Sequence, residues 1–307
     1  MNIISLAKKI WGLIYPMLIY LGIQVLVVIV SETIYAVYLY MHGVSSEKEI
    51  AMQVSEMLQG TVLMLTMISA LITIPILAVF MKRDNDKKKA NHTFKWYEPA
   101  KKWWYLLIIP FGVFNMEWAN MFVSILQLFM PKFMTDSYTG TQTAIYGSSM
   151  LLQLVAAGIV APIVEEMIFR GLIYKRVKEF SNVKAAAILS ALLFGVFHGN
   201  WVQAPYAIIL GLAFVFVYEK YKSIIAPILL HMSANISSVV ISYFAMHSQQ
   251  TQQVETVMYS NSEILIMLFR VMMFFFGLAA VMGIVINSIV KLKEVNDETI
   301  NSSDTVL

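Results

Sequence analysis

The chain reads as all-α, a polytopic membrane protein built as a bundle of about eight transmembrane helices, and three observations carry that reading. First, 59% of its 307 residues are apolar and 13% charged, where a soluble domain has about half and a quarter. Second, the apolar residues fall in blocks long enough to cross a hydrocarbon layer, which takes about 20 residues of helix each. Third, the basic residues crowd into alternate gaps between those blocks. Mean hydropathy is +0.69.

In order, the blocks run near 10–40, 58–81, 103–130, 150–178, 184–200, 204–219, 223–246 and 263–290. The first follows Lys8 and Lys9 as a signal peptide would, but its apolar run continues from Ile10 through Val30 toward Tyr40, which marks an uncleaved span. The gap after the second block holds Lys82, Arg83, Lys87, Lys88, Lys89, Lys95, Lys101 and Lys102, whereas the gap after the first holds Glu47, Lys48, Glu49 and Glu56. The basic gap is expected in the cytoplasm. Alternation then sends both termini, the Arg176 to Lys184 gap and the Lys220 to Lys222 gap to the same side, giving a multi-pass protein of the cell membrane with cytoplasmic N- and C-termini. Trp96, Trp103 and Trp104 with Tyr97 and Tyr105 flank the third span as an interfacial belt. The 21 methionines read as gap-fillers within the spans. Ser248 to Ser262 reads as an exterior loop, and Thr299 to Leu307 as a short polar, disordered tail.

This divides the chain into three N-terminal spans (1–147), a core rich in intramembrane polar groups (148–246), and an exterior loop, last span and tail (247–307). No internal repeat is visible, which disfavours a transporter built from two related halves. The net charge of +3 is accounted for by the topology, so a nucleic-acid partner is not expected and the bilayer is. With no cysteine, disulfides, thiolate metal sites, thiol nucleophiles and sulfur-linked lipids are excluded.

The fourth block places Glu165, Glu166 and Arg170 among apolar neighbours. Each costs about 2.5–3.5 kcal/mol at a helix centre, so intramembrane ionisable groups are candidates for function. Glu166 and Arg170, four apart with the acid first, can pair on one face. Glu165, turned by about 100° from Glu166, can face a cavity and is the candidate general base. The alternative is that all three lie in the headgroups at a helix end marked by Pro162. The fifth block ends at His198, its lone ionisable group after Lys184, and the seventh stacks His231 and Asn235 on one face. If the helices end near Lys178, Val183 and Lys222, then Glu165, His198 and His231 lie roughly 20, 22 and 13 Å along them, within the bilayer interior. Such a set suits amide hydrolysis: Glu165 takes a proton from water, His198 orients that water, and His231 and Asn235 donate to the oxyanion. Glu165, His198 and His231 would equally serve as zinc ligands from separate helices, although the His-Glu-x-x-His signature is absent. Glu117, in the third block, reads as an interhelical hydrogen-bonding group.

Taken together, Glu165-Glu166-x-x-x-Arg170, Phe194-x-x-x-His198 and His231-x-x-x-Asn235 resemble the motifs of the CPBP intramembrane proteases, over roughly Ser148 to Phe244. That family includes the type II CAAX prenyl endopeptidases and bacteriocin-processing and self-immunity proteins. The resemblance implies about eight helices around an intramembrane catalytic cavity that opens to the cytosol, a glutamate-activated water and no essential metal or other cofactor. It makes Glu165, His198, His231 and Asn235 catalytic, with Glu166 and Arg170 supporting them. The expected activity is therefore that of a membrane-embedded endopeptidase whose peptide or protein substrate arrives from the cytoplasmic side. Two other classes stay open: a non-catalytic scaffold or bacteriocin self-immunity factor, and a proton-coupled transporter using Glu165 and Glu117.

Overall fold

A computed structural model describes residues 3–251, 261–292 and 294–295. Their architecture is a helical bundle: α1 (Ile3–Met41), α2 (Glu47–Ala90), α3 (Lys102–Gln127), α4 (Lys132–Tyr146), α5 (Met150–Phe180), α6 (Val183–Phe197), α7 (Gln203–Tyr221), α8 (Ile225–Thr251) and α9 (Asn261–Ile289). Among the described residues seven of these are long and apolar enough to span a bilayer. The fifth apolar block forms α6, which at 15 residues is shorter.

Three helices start at a side-chain cap that the sequence supplies. Ser46, Ser149 and Asn182 accept from the backbone N–H groups of Glu49, Leu152 and Ala185, opening α2, α5 and α6. Glu47 and Glu49 at the start of α2 and Lys87, Lys88 and Lys89 at its end match the helix dipole. Two departures from the sequence reading follow from polar composition. The helix α2 begins well before its apolar block, and α4 lies in a stretch read as a gap, because an amphipathic helix along a bundle wall needs no 20-residue apolar run. The exterior loop expected over Ser248 to Ser262 is helical to Thr251 and again from Asn261, and the rest of it, like the tail from Thr299, lies outside the described residues.

The bundle is inverted relative to a soluble protein. Large apolar side chains of α1 and α9, among them Trp11, Leu26, Ile34, Phe274 and Ile284, point outward, as a lipid solvent requires. Inside, α3 packs against α8 and α9, α1 against α2, and α6 against α7. This is a multi-pass membrane protein.

One end of the bundle gathers the basic gaps. Arg176, on α5, donates to Asp84 on α2 at 2.7 Å, to Tyr15 Oη at 2.6 Å and to the carbonyl of Gly12. Lys88 pairs with Glu179, and Lys178 and Lys222 both pair with Glu219. There too Trp96–Tyr97 (β1) and Glu294–Val295 (β2) form a two-residue antiparallel ladder. Immediately inward, Ile168, Phe169, Leu172, Ile173 and Tyr174 have no exposed surface and seal this end.

Candidate active site

The middle of α5 carries the acidic residues, and its helix runs unbroken through Pro162 to Phe180, so the glutamates lie within the bundle and not at a helix end. Continuity comes with distortion: Ala156–Val160 and Met167–Tyr174 are π-helical, and Ala161–Glu166 between them is α-helical. Proline lacks an N–H and its ring crowds the carbonyl four residues back, which local widening relieves. Such widening is frequent at functional sites.

Glu166 and Arg170 are fully buried and paired at 2.8 Å. Arg170 Nη2 also donates to the Gly211 carbonyl of α7 at 2.9 Å, and its guanidinium lies over the rings of Phe194 and Phe214. A Cβ at position 211 would stand 3.1 Å from that nitrogen, so glycine leaves room for the charge to cross. The same Glu166 oxygen, Oε1, lies 3.0 Å from His231 Nδ1. His231 is stacked on Phe214, ring centroids 4.6 Å apart, and its other nitrogen, Nε2, lies 3.8 Å from Glu165 Oε2. Since a carboxylate only accepts, Nδ1 carries a proton toward Glu166 and Nε2 is left to face Glu165: as an acceptor when the ring is neutral, as a donor when it is protonated.

Asn235, one turn along α8, donates to the Ala157 carbonyl at 2.8 Å, within the first π segment. That uses one of its two amide hydrogens. His198 closes α6: Gly199 takes the left-handed conformation at φ +62°, and Asn200 accepts from the N–H groups of Val202 and Gln203 to open α7. His198 Nδ1 donates to the Phe194 carbonyl at 2.8 Å, which makes Nε2 the accepting nitrogen of the neutral ring. Its ring meets Phe194 edge-on, and Phe194 in turn meets His231 edge-on.

Glu165, His198, His231 and Asn235 all line one cavity of about 810 Å³, a volume within the range of ligand sites. The structure therefore brings the six expected residues into two groups: Glu165, His231 and Asn235 with His198 along the cavity wall, and Glu166 with Arg170 behind them. Among the described residues no three of His, Asp or Glu are grouped to hold a metal ion. Glu117 lines the same cavity from α3, facing Asn120 and Ser237, with one carboxylate oxygen buried and unpartnered.

Three contributors escape sequence reasoning. The ring of Phe214 and the Gly211 carbonyl come from the apolar α7, and α4 comes from a polar stretch read as a gap. On α5 the cavity is lined by residues up to Glu165, and Ile168, Phe169, Leu172, Ile173 and Tyr174 beyond it are fully buried.

Fold and site together define a multi-pass membrane protein with a carboxylate and imidazole cluster at the foot of an intramembrane cavity. Residues 147–237, which supply all six site residues, match the family model of type II CAAX prenyl endopeptidase Rce1-like proteins, in agreement with the resemblance carried by the motifs. The chain is 30% identical over 102 residues to "Putative membrane peptidase YdiL" of Bacillus subtilis (strain 168), a stretch covering 33% of this chain and 42% of that protein. It is 28% identical over 148 residues to UPF0177 protein YxdF of Lactococcus lactis subsp. lactis (strain IL1403), covering 48% and 80%. A second Lactococcus lactis protein, UPF0177 protein YajF, is 39% identical over 75 residues, covering 24% and 35%. The match thus spans less than half the length of YdiL. No solved structure matches the chain.

Proposed function

We propose that the protein is a membrane-embedded, glutamate-dependent endopeptidase that cleaves a peptide or a membrane-associated protein with an activated water. The observation that carries the proposal is the approach of Glu165 Oε2 to His231 Nε2, 3.8 Å apart at the foot of the cavity, with His231 held from behind by Glu166. That separation is too long for a direct hydrogen bond, so Glu165 can hold a water while Nε2 of His231 faces the substrate's carbonyl oxygen.

In the proposed cycle Glu165 removes a proton from the water as its oxygen bonds to the scissile carbonyl carbon, with His198 Nε2 accepting the second water hydrogen. The carbonyl oxygen becomes an oxyanion, which takes hydrogen bonds from protonated His231 and from the amide hydrogen of Asn235 not used on Ala157. Each such donor is worth about 3–4 kcal/mol in a site that excludes water. Collapse breaks the C–N bond, and the proton held by Glu165 passes to the leaving amine. No metal is needed. The Rce1-like family match supports a peptidase, and the position of Glu165 on the cavity wall supports its role as the base.

Glu165→Gln is nearly isosteric and removes the base. Processing is expected to fall to background while membrane abundance stays unchanged, as read by comparing peptide termini from cells carrying each form. Retained processing would sink the proposal, and retained biological function without processing would favour a non-catalytic scaffold or immunity factor. Chelators are expected to leave cleavage by the purified protein in lipid unchanged. The proposed orientation puts both termini in the cytoplasm, supported by the basic gaps gathered at one end.

A further inference from the structure

The cavity extends from the site in one direction only. On α5 its lining residues are Ala156, Ala157, Ala161 and Glu165, all on the Met150 side of the second glutamate. On α8 they begin at His231 and run outward through Asn235 and Ser238 to Ser242 and Ala245. The far wall is built from Thr66 of α2, Ser124 and Gln127 of α3, and Thr141 and Gln142 of α4. Those α3 and α8 residues lie near the helix ends remote from Lys102 and Lys222, and Thr66 lies about 24 Å of helical rise from Lys82. Toward the basic end, by contrast, Ile168, Phe169, Leu172, Ile173 and Tyr174 are wholly buried.

The chemistry of the wall narrows the occupant. Much of the wall is apolar, and its neutral amides and hydroxyls can pair with the N–H and C=O groups of an extended backbone laid along it. Its carboxylates are Glu117 and Glu165, and among the described residues no lysine or arginine lines it. A chain-terminal carboxylate or an acidic segment would meet like charge at low dielectric, whereas a neutral or basic segment would not.

We propose that the site is served from the outer face of the membrane, by an extended neutral or basic peptide segment that passes between α2, α3, α4 and α8 to reach Glu165. The assignment of that face as the outer one follows from the excess of Lys and Arg at the sealed end. What happens to the peptide at the foot of the cavity rests on the endopeptidase reading; the route does not.

The absence of native cysteine makes the route directly measurable. Single cysteines are placed at the mouth (S242C and T141C) and at the basic end (K89C) of the full-length chain, and labelled with a membrane-impermeant maleimide in intact bacterial cells and in inside-out vesicles. The expected result is labelling of S242C and T141C in intact cells and of K89C in inside-out vesicles alone. Labelling of both mouth cysteines only in inside-out vesicles, or in neither preparation, overturns the proposal, as does labelling of K89C in intact cells. Two mouth positions on different helices guard against loss of one variant from the membrane. A lysine-glycine repeat peptide added outside is expected to slow labelling of S242C at least threefold and a glutamate-glycine repeat to leave it unchanged; equal or stronger protection by the acidic peptide overturns the charge preference. Outside labelling combined with undiminished processing by Glu165→Gln would leave the route standing and remove the endopeptidase reading.

Discussion

Glu166 serves two partners with one oxygen. Its Oε1 accepts from Arg170 at 2.8 Å and from His231 at 3.0 Å, while Oε2 and Arg170 Nε are buried without a partner. The pair therefore positions the imidazole at an energetic cost and is poor evidence for stability in itself. Removing one member leaves an uncompensated buried charge, so Arg170→Met is expected to lower unfolding free energy by about 3–5 kcal/mol. Adding Glu166→Gln to it should restore much of that loss without restoring cleavage. Thermal unfolding in detergent, run beside a processing assay, separates stability from function; equal stability of the single and double variants would contradict the account. Phe214 supports the other face of His231, and Phe214→Ala is expected to reduce processing by freeing the ring to tilt.

Among the elements, α3 and α8 set the cavity's width because they cross at Gly112. A Cβ there would stand 1.9 Å from Ser233 Oγ and 2.6 Å from the Leu230 carbonyl, and a backbone atom cannot swing aside as a side chain can. Gly112→Val is expected to cost at least the 1–3 kcal/mol typical of overpacking, roughly, and to reduce processing by separating Glu117 and Ser237. Gly277 on α9 has nothing within 4 Å of such a Cβ, so Gly277→Ala should leave both stability and processing close to wild type. Comparable losses in the two variants would argue against α3–α8 packing as the determinant. The helix α4, with no fully buried residue of its own, packs against α2, α5 and α8 and is tied by Tyr146, whose hydroxyl is 3.3 Å from Ser238 Oγ and whose carbonyl accepts from Gln153.

At the scale of the molecule, the basic end is both sealed and cross-linked. Arg176 joins α1, α2 and α5 through Gly12, Tyr15 and Asp84, and Tyr221 Oη donates to the Trp104 carbonyl at 2.7 Å, joining α7 to α3. Hydrogen bonds to charged groups contribute about 1.5–3 kcal/mol. Arg176→Ala is therefore expected to lower the midpoint of thermal unfolding while the residual folded protein keeps its processing rate, because Glu165 lies about 16 Å of helix away. A fall in rate at unchanged stability would mean that the two ends are coupled.

What the sequence determined by itself was the membrane fold, the order of the spans and which ionisable residues lie inside them. Those follow from composition: a 20-residue apolar run has few ways to satisfy its backbone in lipid, and a charge placed inside it is expensive enough to be noticed. The pairing of Glu166 with Arg170 was legible from their spacing of four. Which residues meet across helices was decided by packing alone. That His231 reaches Glu166 as well as Glu165, that Phe214 floors the imidazole and that α4 walls the cavity depend on helix rotation and tilt, which a periodic apolar pattern does not encode once every face is apolar. The complete burial of Ile168 to Tyr174 belongs to the same class, a property of side chains from several spans and of no single one.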